Sequence, residues 1–376
     1  MKRIFIVLGA LLVMASCAKD VDTDGYDTED VVAEVNEIQV EETDVLETQK
    51  ETDVLETQKE AEPVSKALPY EPGEGIITEN GPLKVVDGQL SNSKGEPIQL
   101  KGLSTHGLQW FGSFITDESI NRFVNDWNID VLRAAMYIEE DGYLTGFKNY
   151  VLLGMNNSIM HATNNGIYVI VDWHVHTDKD PMLHLEEAKE FFGMMAEKYA
   201  NNENIIYEIC NEPNGDITWE DNIKPYAEQV IPIIRGYDED AVIIVGTPSW
   251  SQELDKAADN PLDFENILYT LHFYAGSHGQ ELRDVASYAL DKGLGIFVTE
   301  WGTSRNTGGG GVFIEESDVW LDYLDENNIS WCNWSISDKA ESSAIFLPNI
   351  DINKEWPEDR ISESGLYVRR KLLGND

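Results

Sequence analysis

The sequence predicts an α/β fold: a (β/α)8 TIM barrel with a short N-terminal β-hairpin, preceded by a disordered acidic tether. Three observations predict it. Beyond residue 80, eight short apolar runs alternate with amphipathic stretches of helical period, the number and spacing of a closed parallel barrel. Polar and aromatic residues gather where these apolar runs end. No glycine-rich phosphate loop follows an early strand, as would be expected of a doubly wound open sheet.

The chain of 376 residues begins with Lys2 and Arg3, an apolar stretch over 4–14, and small residues before Cys17. Residues 1–16 read as a secretory signal, and their apolar part is too short to span a bilayer. Ala15-Ser16-Cys17 resembles a bacterial lipobox, with Met14 where leucine is commonest. That implies lipidation of Cys17 and anchoring in the cell envelope, at the outer membrane or surface of a Gram-negative cell; plain secretion is the alternative. Residues 17–70 form the tether. Between Asp20 and Glu62 stand seventeen Asp and Glu against two Lys, and such a segment cannot bury enough apolar surface to offset its ordering entropy. The nonapeptide TDVLETQKE occurs twice in tandem, at 43–51 and 52–60; two copies are too few for a solenoid. Asp22-Thr-Asp24-Gly25 lacks the remaining ligands of a calcium loop.

A formal net charge of −42 argues against nucleic acid, whose phosphates demand a basic footprint. It equally disfavours acidic polysaccharides and leaves a neutral glycan as a compatible polymer. Apart from Cys17, the cysteines are Cys210 and Cys332, both in apolar runs. Buried free thiols are expected, and a disulfide between them stays open.

Residues 71–376 are long enough for one large α/β domain. Its hairpin covers 83–86 and 89–91 around Asp87-Gly88, a strong tight-turn pair. The eight barrel strands are predicted over 98–104, 131–137, 167–173, 205–211, 241–247, 267–273, 296–300 and 329–335, each a short apolar run suited to burial on both faces. Helical patterns lie between them, over 117–127, 150–164, 186–200, 219–236, 252–258, 280–292 and 315–327. A last one covers 362–373, with Ser362 as its N-cap.

In a barrel, the C-terminal strand ends form the active face. His106 and Trp110 follow the first strand, and Arg133 and Tyr137 belong to the second. Trp173 and His174 end the third, Asn211 and Glu212 the fourth. Trp250 follows the fifth, His272 and Tyr274 end the sixth, Glu300 and Trp301 the seventh, and Trp334 the eighth. Two strands therefore close on a glutamate: IIYEICNEP at 205–213 and GIFVTEWG at 295–302. Such a pair suits acid/base work on one substrate, provided one carboxyl is protonated and the other ionised. Arg133 is expected against Glu300, where a fixed cation favours the charged form, with the Tyr274 hydroxyl donating to the same carboxylate. Asp172, His174, His176 and His184 could suggest a metal, since His-Val-His places two imidazoles on one side of a strand. No spacing matches a zinc signature, so no metal and no cofactor are expected.

Asn-Glu-Pro closing one strand and Thr-Glu-Trp-Gly closing a later one resemble the acid/base and nucleophile motifs of glycoside hydrolase family 5. The resemblance covers roughly residues 80–373 and implies Glu212 as acid/base, Glu300 as nucleophile, and net retention with the carboxyls about 5–5.5 Å apart. It also implies that Asn211 contacts the sugar 2-hydroxyl and that His174 and His272 line the reactive subsite. WSISDKAESSAIF at 334–346 is similar to the loop after strand eight in the family's bacterial cellulase subfamily. In that loop Lys339 and Glu341 are implied to hydrogen-bond a glucose unit beside the cleavage point. HGLQW at 106–110 is similar to the same subfamily's first loop. Trp110, Trp250 and Trp334 would offer flat faces to sugar rings, whereas Trp320 and Trp331 read as core. The implied activity is that of an endo-β-1,4-glucanase, working as a monomer on cellulose and related β-glucans. A mannanase or xyloglucanase on this scaffold, and a non-catalytic glycan-binding lipoprotein, are the rival readings. No appended carbohydrate-binding module is expected after the last helical pattern.

Overall fold

The computed structural model describes residues 68–374; the signal segment, Cys17 and the tether up to residue 67 lie outside them. The predicted hairpin is present as β1 (Lys84–Val86) and β2 (Gln89–Ser91), paired antiparallel. Its turn residues Asp87 and Gly88 both have positive φ, 50° and 75°, as tight hairpin turns of this kind require.

Eight parallel strands follow: β3 (Lys101–Thr105), β4 (Val131–Tyr137), β5 (Tyr168–His174), β6 (Ile205–Glu208), β7 (Val242–Val245), β8 (Ile267–Tyr274), β9 (Ile296–Gly302) and β10 (Ser330–Ile336). They pair in sequence order, and β10 closes the barrel on β3. The main helices are α1 (Asp117–Trp127), α2 (Lys148–Asn164), α3 (Leu185–Lys198), α4 (Lys224–Arg235), α5 (Leu254–Asp259), α6 (Gln280–Asp291), α7 (Ile314–Glu326) and α8 (Glu363–Leu372). Ser362 caps α8 as predicted, its hydroxyl accepting from Gly365 N at 2.9 Å.

Three boundaries differ from expectation for local reasons. β3 begins at Lys101 rather than 98, because Ile98 N is taken by Leu90 O of the hairpin. The helix predicted over 219–236 splits into a π-helical turn, Trp219–Ile223, and α4. Pro225, without an N–H, cannot continue the ladder of bonds there. β6 stops at Glu208, although Asn211 N still donates to Trp173 O at 3.2 Å.

Side chains alternate along each strand, so every second residue points into the barrel. On β5 the inward column is Tyr168, Ile170, Asp172, His174; on β4 it is Val131, Arg133, Ala135, Tyr137. The lower residues of these columns join Ile206, Val242, Ile244, Leu268, Phe297 and Cys332 in one buried interior cluster. The hairpin plugs it from below through Leu83 and Leu90. The outward residues of the same strands, such as Leu132, Val169, Val171 and Trp173, pack in a second cluster with helical residues including Phe123, Met155, Phe191, Trp320 and Leu324. The barrel is thus apolar at its base and becomes polar only in its upper half. Trp320 and Trp331 are core residues, as expected, and Cys210 and Cys332 are buried free thiols. Among the described residues, no helix is long and apolar enough to cross a membrane.

β9 carries one irregularity that matters. Thr270 pairs with Phe297 and His272 with Glu300, so between these pairs one residue of β8, Leu271, faces two of β9, Val298 and Thr299. Such a bulge re-aims side chains. Thr299 and Glu300, which strict alternation would send to opposite faces, both contact residues of the barrel interior.

Candidate active site

A cleft of about 500 Å³ opens at the C-terminal strand ends. Its lining includes Glu212 and Glu300 together with His106, Trp110, His174, Trp250, His272, Tyr274, Trp334, Lys339 and Glu341. Eleven of the thirteen residues predicted for chemistry or substrate contact therefore meet in one place. The other two, Arg133 and Asn211, do not line it. Both are fully buried beneath its floor, where they hold the groups above them.

Arg133 stands at the centre of that buried layer. Its Nε donates to Glu208 at 2.7 Å, and its two terminal nitrogens donate to Glu300 at 3.0 Å and to Asn211 Oδ1 at 2.6 Å. Asp172 lies 3.1 Å from the same guanidinium. Burial alone would favour loss of the Arg133 proton, but the three carboxylates push its pKa well up, so it is a permanent cation. Tyr274 donates to the second oxygen of Glu300 at 2.6 Å. The two partners predicted for Glu300 are thus both in place.

Asn211 was expected on the sugar 2-hydroxyl. Here its oxygen accepts from Arg133, while its amide nitrogen donates to Val175 O at 3.0 Å and lies 3.2 Å from His174 Nε2. These contacts tie the side chain to Arg133 and to the orientation of His174 beneath the cleft. The Nδ1 of that ring is 2.6 Å from Asp172. The weighed metal quartet does not converge: His174 pairs with Asp172, His176 with Glu140, and His184 with Glu139.

Glu212 sits in different surroundings. Burial, the largest influence, pushes its carboxyl up to about 7, against the lowering effects of His176 and Arg133. His272 Nδ1 lies 2.9 Å from it, and burial brings that imidazole down to about 4. An oxygen of Glu212, an oxygen of Glu300 and a ring nitrogen of His272 lie within 4.8 Å of one another. The floor therefore presents one carboxyl built to keep a proton beside another clamped by an arginine and a phenol.

Aromatic surfaces flank the pair. Trp334 is 6% exposed and stacks on His174 at 5.6 Å between ring centres, so it is part of the floor. Trp110 and Trp250 are 45% and 48% exposed and form open walls. Trp250 is presented by an unusual turn: Ser249, Trp250 and Ser251 all have left-handed φ of 56–58°. Trp250 N donates to Pro213 O at 3.1 Å, and the Ser251 hydroxyl donates to Asn211 O at 2.6 Å. Further along, Lys339 lies 2.8 Å from Glu341 and 3.3 Å from His106 Nε2. Burial, and then the Lys339 charge, lower His106 to about 3, a neutral ring. Gly308, at φ 77°, passes close beneath; a Cβ there would stand 2.9 Å from the Glu341 carboxyl.

Sequence reasoning missed Glu208 and Thr299 altogether, and passed over Gln252 and His278 as cleft residues, whereas Tyr137, placed on the active face, does line the cleft. Glu208 had a signal: a carboxylate inside the apolar run IIYEIC needs a buried partner.

The residues from 91 to 340 match the family model described as cellulase (glycosyl hydrolase family 5). Endoglucanase A of Evansella cellulosilytica is 50% identical over 279 residues, which cover 74% of this chain and 57% of that protein. An endoglucanase of Clostridium saccharobutylicum is 47% identical over 307 residues, covering 82% of this chain and 68% of its own length. This chain thus spans a little over half to two thirds of these curated relatives. In structure it is similar to the catalytic domain of Thermobifida fusca endoglucanase Cel5A, with a TM-score of 0.76 and 41% identity over 79% of this chain and 99% of that one. A variant of the same protein, similar at a TM-score of 0.74, was solved in complex with cellotetraose. With a family model over two thirds of the chain and relatives of 47–50% identity, the chain belongs to glycosyl hydrolase family 5, the cellulase family.

Proposed function

We propose that this chain is a retaining endo-β-1,4-glucanase that hydrolyses internal bonds of cellulose and related β-glucans. The observation that carries the reading is the Glu212–Glu300 pair, with carboxylate oxygens within 4.8 Å at the floor of an open cleft. Oxygens that close suit the retaining class, whose carboxyls stand about 5–5.5 Å apart. In the first step Glu300 attacks the anomeric carbon while Glu212 gives its proton to the departing glycosidic oxygen. An ester between sugar and Glu300 results. Glu212, now a carboxylate, takes a proton from water, whose oxygen attacks the same carbon and frees Glu300. The tryptophan walls suit a chain of neutral sugars, and Lys339 with Glu341 supports glucose beside the cleavage point.

The test is reducing-sugar release from carboxymethylcellulose, glucomannan and xyloglucan in parallel, with Glu212→Gln as control. Release from carboxymethylcellulose that the substitution abolishes is expected. Activity confined to glucomannan or xyloglucan would keep the mechanism and overturn the glucose assignment; no release at all would favour a glycan-binding role.

Export, and lipidation of Cys17, complete the proposal: the enzyme is held at the cell envelope as a monomer, with the acidic tether as spacer. The charged start, short apolar segment and Ala-Ser-Cys sequence support it. Cys17→Ala should move the protein from the membrane to the soluble fraction, and persistence on the membrane would sink the anchor.

A further inference from the structure

Thr299 is buried beside Glu300, and the chemistry above makes no use of it. Its hydroxyl stands among three polar atoms: Glu208 Oε1 at 2.6 Å, Thr270 Oγ1 at 2.6 Å and His272 Nε2 at 2.8 Å. A hydroxyl has one proton to give and two lone pairs with which to accept. Glu208 is ion-paired to Arg133 with neither side chain exposed, so its carboxylate can only accept, and it takes the Thr299 proton. The Thr299 lone pairs are then left for the Thr270 O–H and the His272 Nε2–H. A neutral ring with its proton on Nε2 has a bare Nδ1, and that atom faces Glu212 at 2.9 Å. Two lone pairs at that distance repel. The contact becomes a hydrogen bond when Glu212 carries a proton.

We propose that Thr299 is a positioning residue for the acid step: by accepting from His272 Nε2, it locks the imidazole in the tautomer that holds the proton on Glu212. The proposal rests on the reading of Glu212 as proton donor. In the opposite tautomer, Nδ1–H would donate to Glu212 and stabilise its carboxylate, which spoils the acid. The charged and titratable groups facing this pair come from every side: Arg133 and Tyr137 from β4, Asp172 and His174 from β5 with His176 beyond it, Glu208 from β6, Tyr274 further along β8, and Glu300 from β9. Arg133 and His176 favour ionised Glu212, while Glu208 and, above all, burial oppose it. The ring is neutral because burial outweighs the carboxylates Glu300 and Glu208, so its tautomer is what remains to be set.

The experiment compares wild type, Thr299→Val and Thr299→Ser in the full chain. With a cello-oligosaccharide, Thr299→Val should move the alkaline limb of kcat/KM to lower pH by about one unit. It should also lower kcat about tenfold with little change in KM. Dinitrophenyl β-cellobioside, whose leaving group needs little protonation, should be far less affected. Thr299→Ser should restore the wild-type limb. A wild-type limb in the valine variant, or an equal shift in the serine variant, overturns the proposal. Nitrogen NMR of the His272 ring, assigned by its loss in His272→Asn, provides a second readout that needs no turnover. The wild type should show Nε2–H; Nδ1–H there overturns the proposal whatever the variants do. If the wild type releases no sugar from any glucan, the functional reading falls, and the ring spectrum still decides the tautomer.

Discussion

Arg133 grips Glu300 from beneath at 3.0 Å, while Tyr274 holds its other oxygen at 2.6 Å. The proposed nucleophile is therefore oriented before any substrate arrives. Tyr274→Phe removes one of these bonds and little packing. A hydrogen bond to a charged group is worth about 1.5–3 kcal/mol, so kcat on soluble glucan should fall roughly tenfold to hundredfold. Steady-state kinetics with a thermal melt checks this. An undiminished kcat would remove the phenol from the mechanism.

Arg133→Lys should be worse, and in a different way. The planar fork serves Glu208, Glu300 and Asn211 at once, with Asp172 alongside. A lysine is a point charge on a flexible stem and cannot reproduce that fork. Stranding buried carboxylates costs about 3–5 kcal/mol, so the urea midpoint should drop sharply along with activity. An unchanged midpoint would contradict the buried network.

Glu212 acts as acid only while protonated, and burial holds its carboxyl at about 7. The acid form is full well below that value and is lost as pH rises through it. The kcat/KM for cello-oligosaccharides should therefore fall on the alkaline side with a midpoint near 7. Glu212→Gln should abolish that limb and still permit glycosylation by dinitrophenyl β-cellobioside. A pH profile with no alkaline limb would falsify the assignment.

Trp110 and Trp250 are nearly half exposed, so their truncation should cost binding rather than folding. Each alanine variant should raise KM for cello-oligosaccharides by up to about tenfold, as stacking energies near 0.5–1.5 kcal/mol imply. Melting temperatures should stay put; a large drop would mean the rings are structural.

Lys339→Ala tests sugar selection. The ammonium is anchored by Glu341 at 2.8 Å, so the variant should narrow the preference for carboxymethylcellulose over glucomannan by roughly tenfold, the worth of one charged hydrogen bond. An unaltered ratio would locate selectivity elsewhere in the cleft.

The strands were legible because a parallel barrel buries both faces of each one, leaving runs such as 131–137 and 267–273 unmistakably apolar. The glutamates were legible because each closes its run. The layer beneath them was not. Asn211 precedes Glu212 in sequence, but its bonds to Arg133 and Val175 depend on how the neighbouring strands bring these residues together. Thr299 was hidden by the bulge in β9, since strict alternation would have turned either it or Glu300 away from the interior. Which residues of a strand face inward is a question of register, and a single sequence does not display register.

The three consecutive left-handed residues under Trp250 make a poor hinge. Each is held in a sparsely populated conformation and persists because its neighbours over-determine it, here through bonds to Asn211 and Pro213 on either side of Glu212. Trp250 and Glu212, the proposed stacking wall and proton donor, are consequently held as one block. Their separation works as a ruler laid along the polymer: a sugar seated on Trp250 fixes which linkage stands over Glu212. A residue inserted into that turn would shift the lengths of the oligosaccharides released, a change visible in the product ladder before it is visible in the rate.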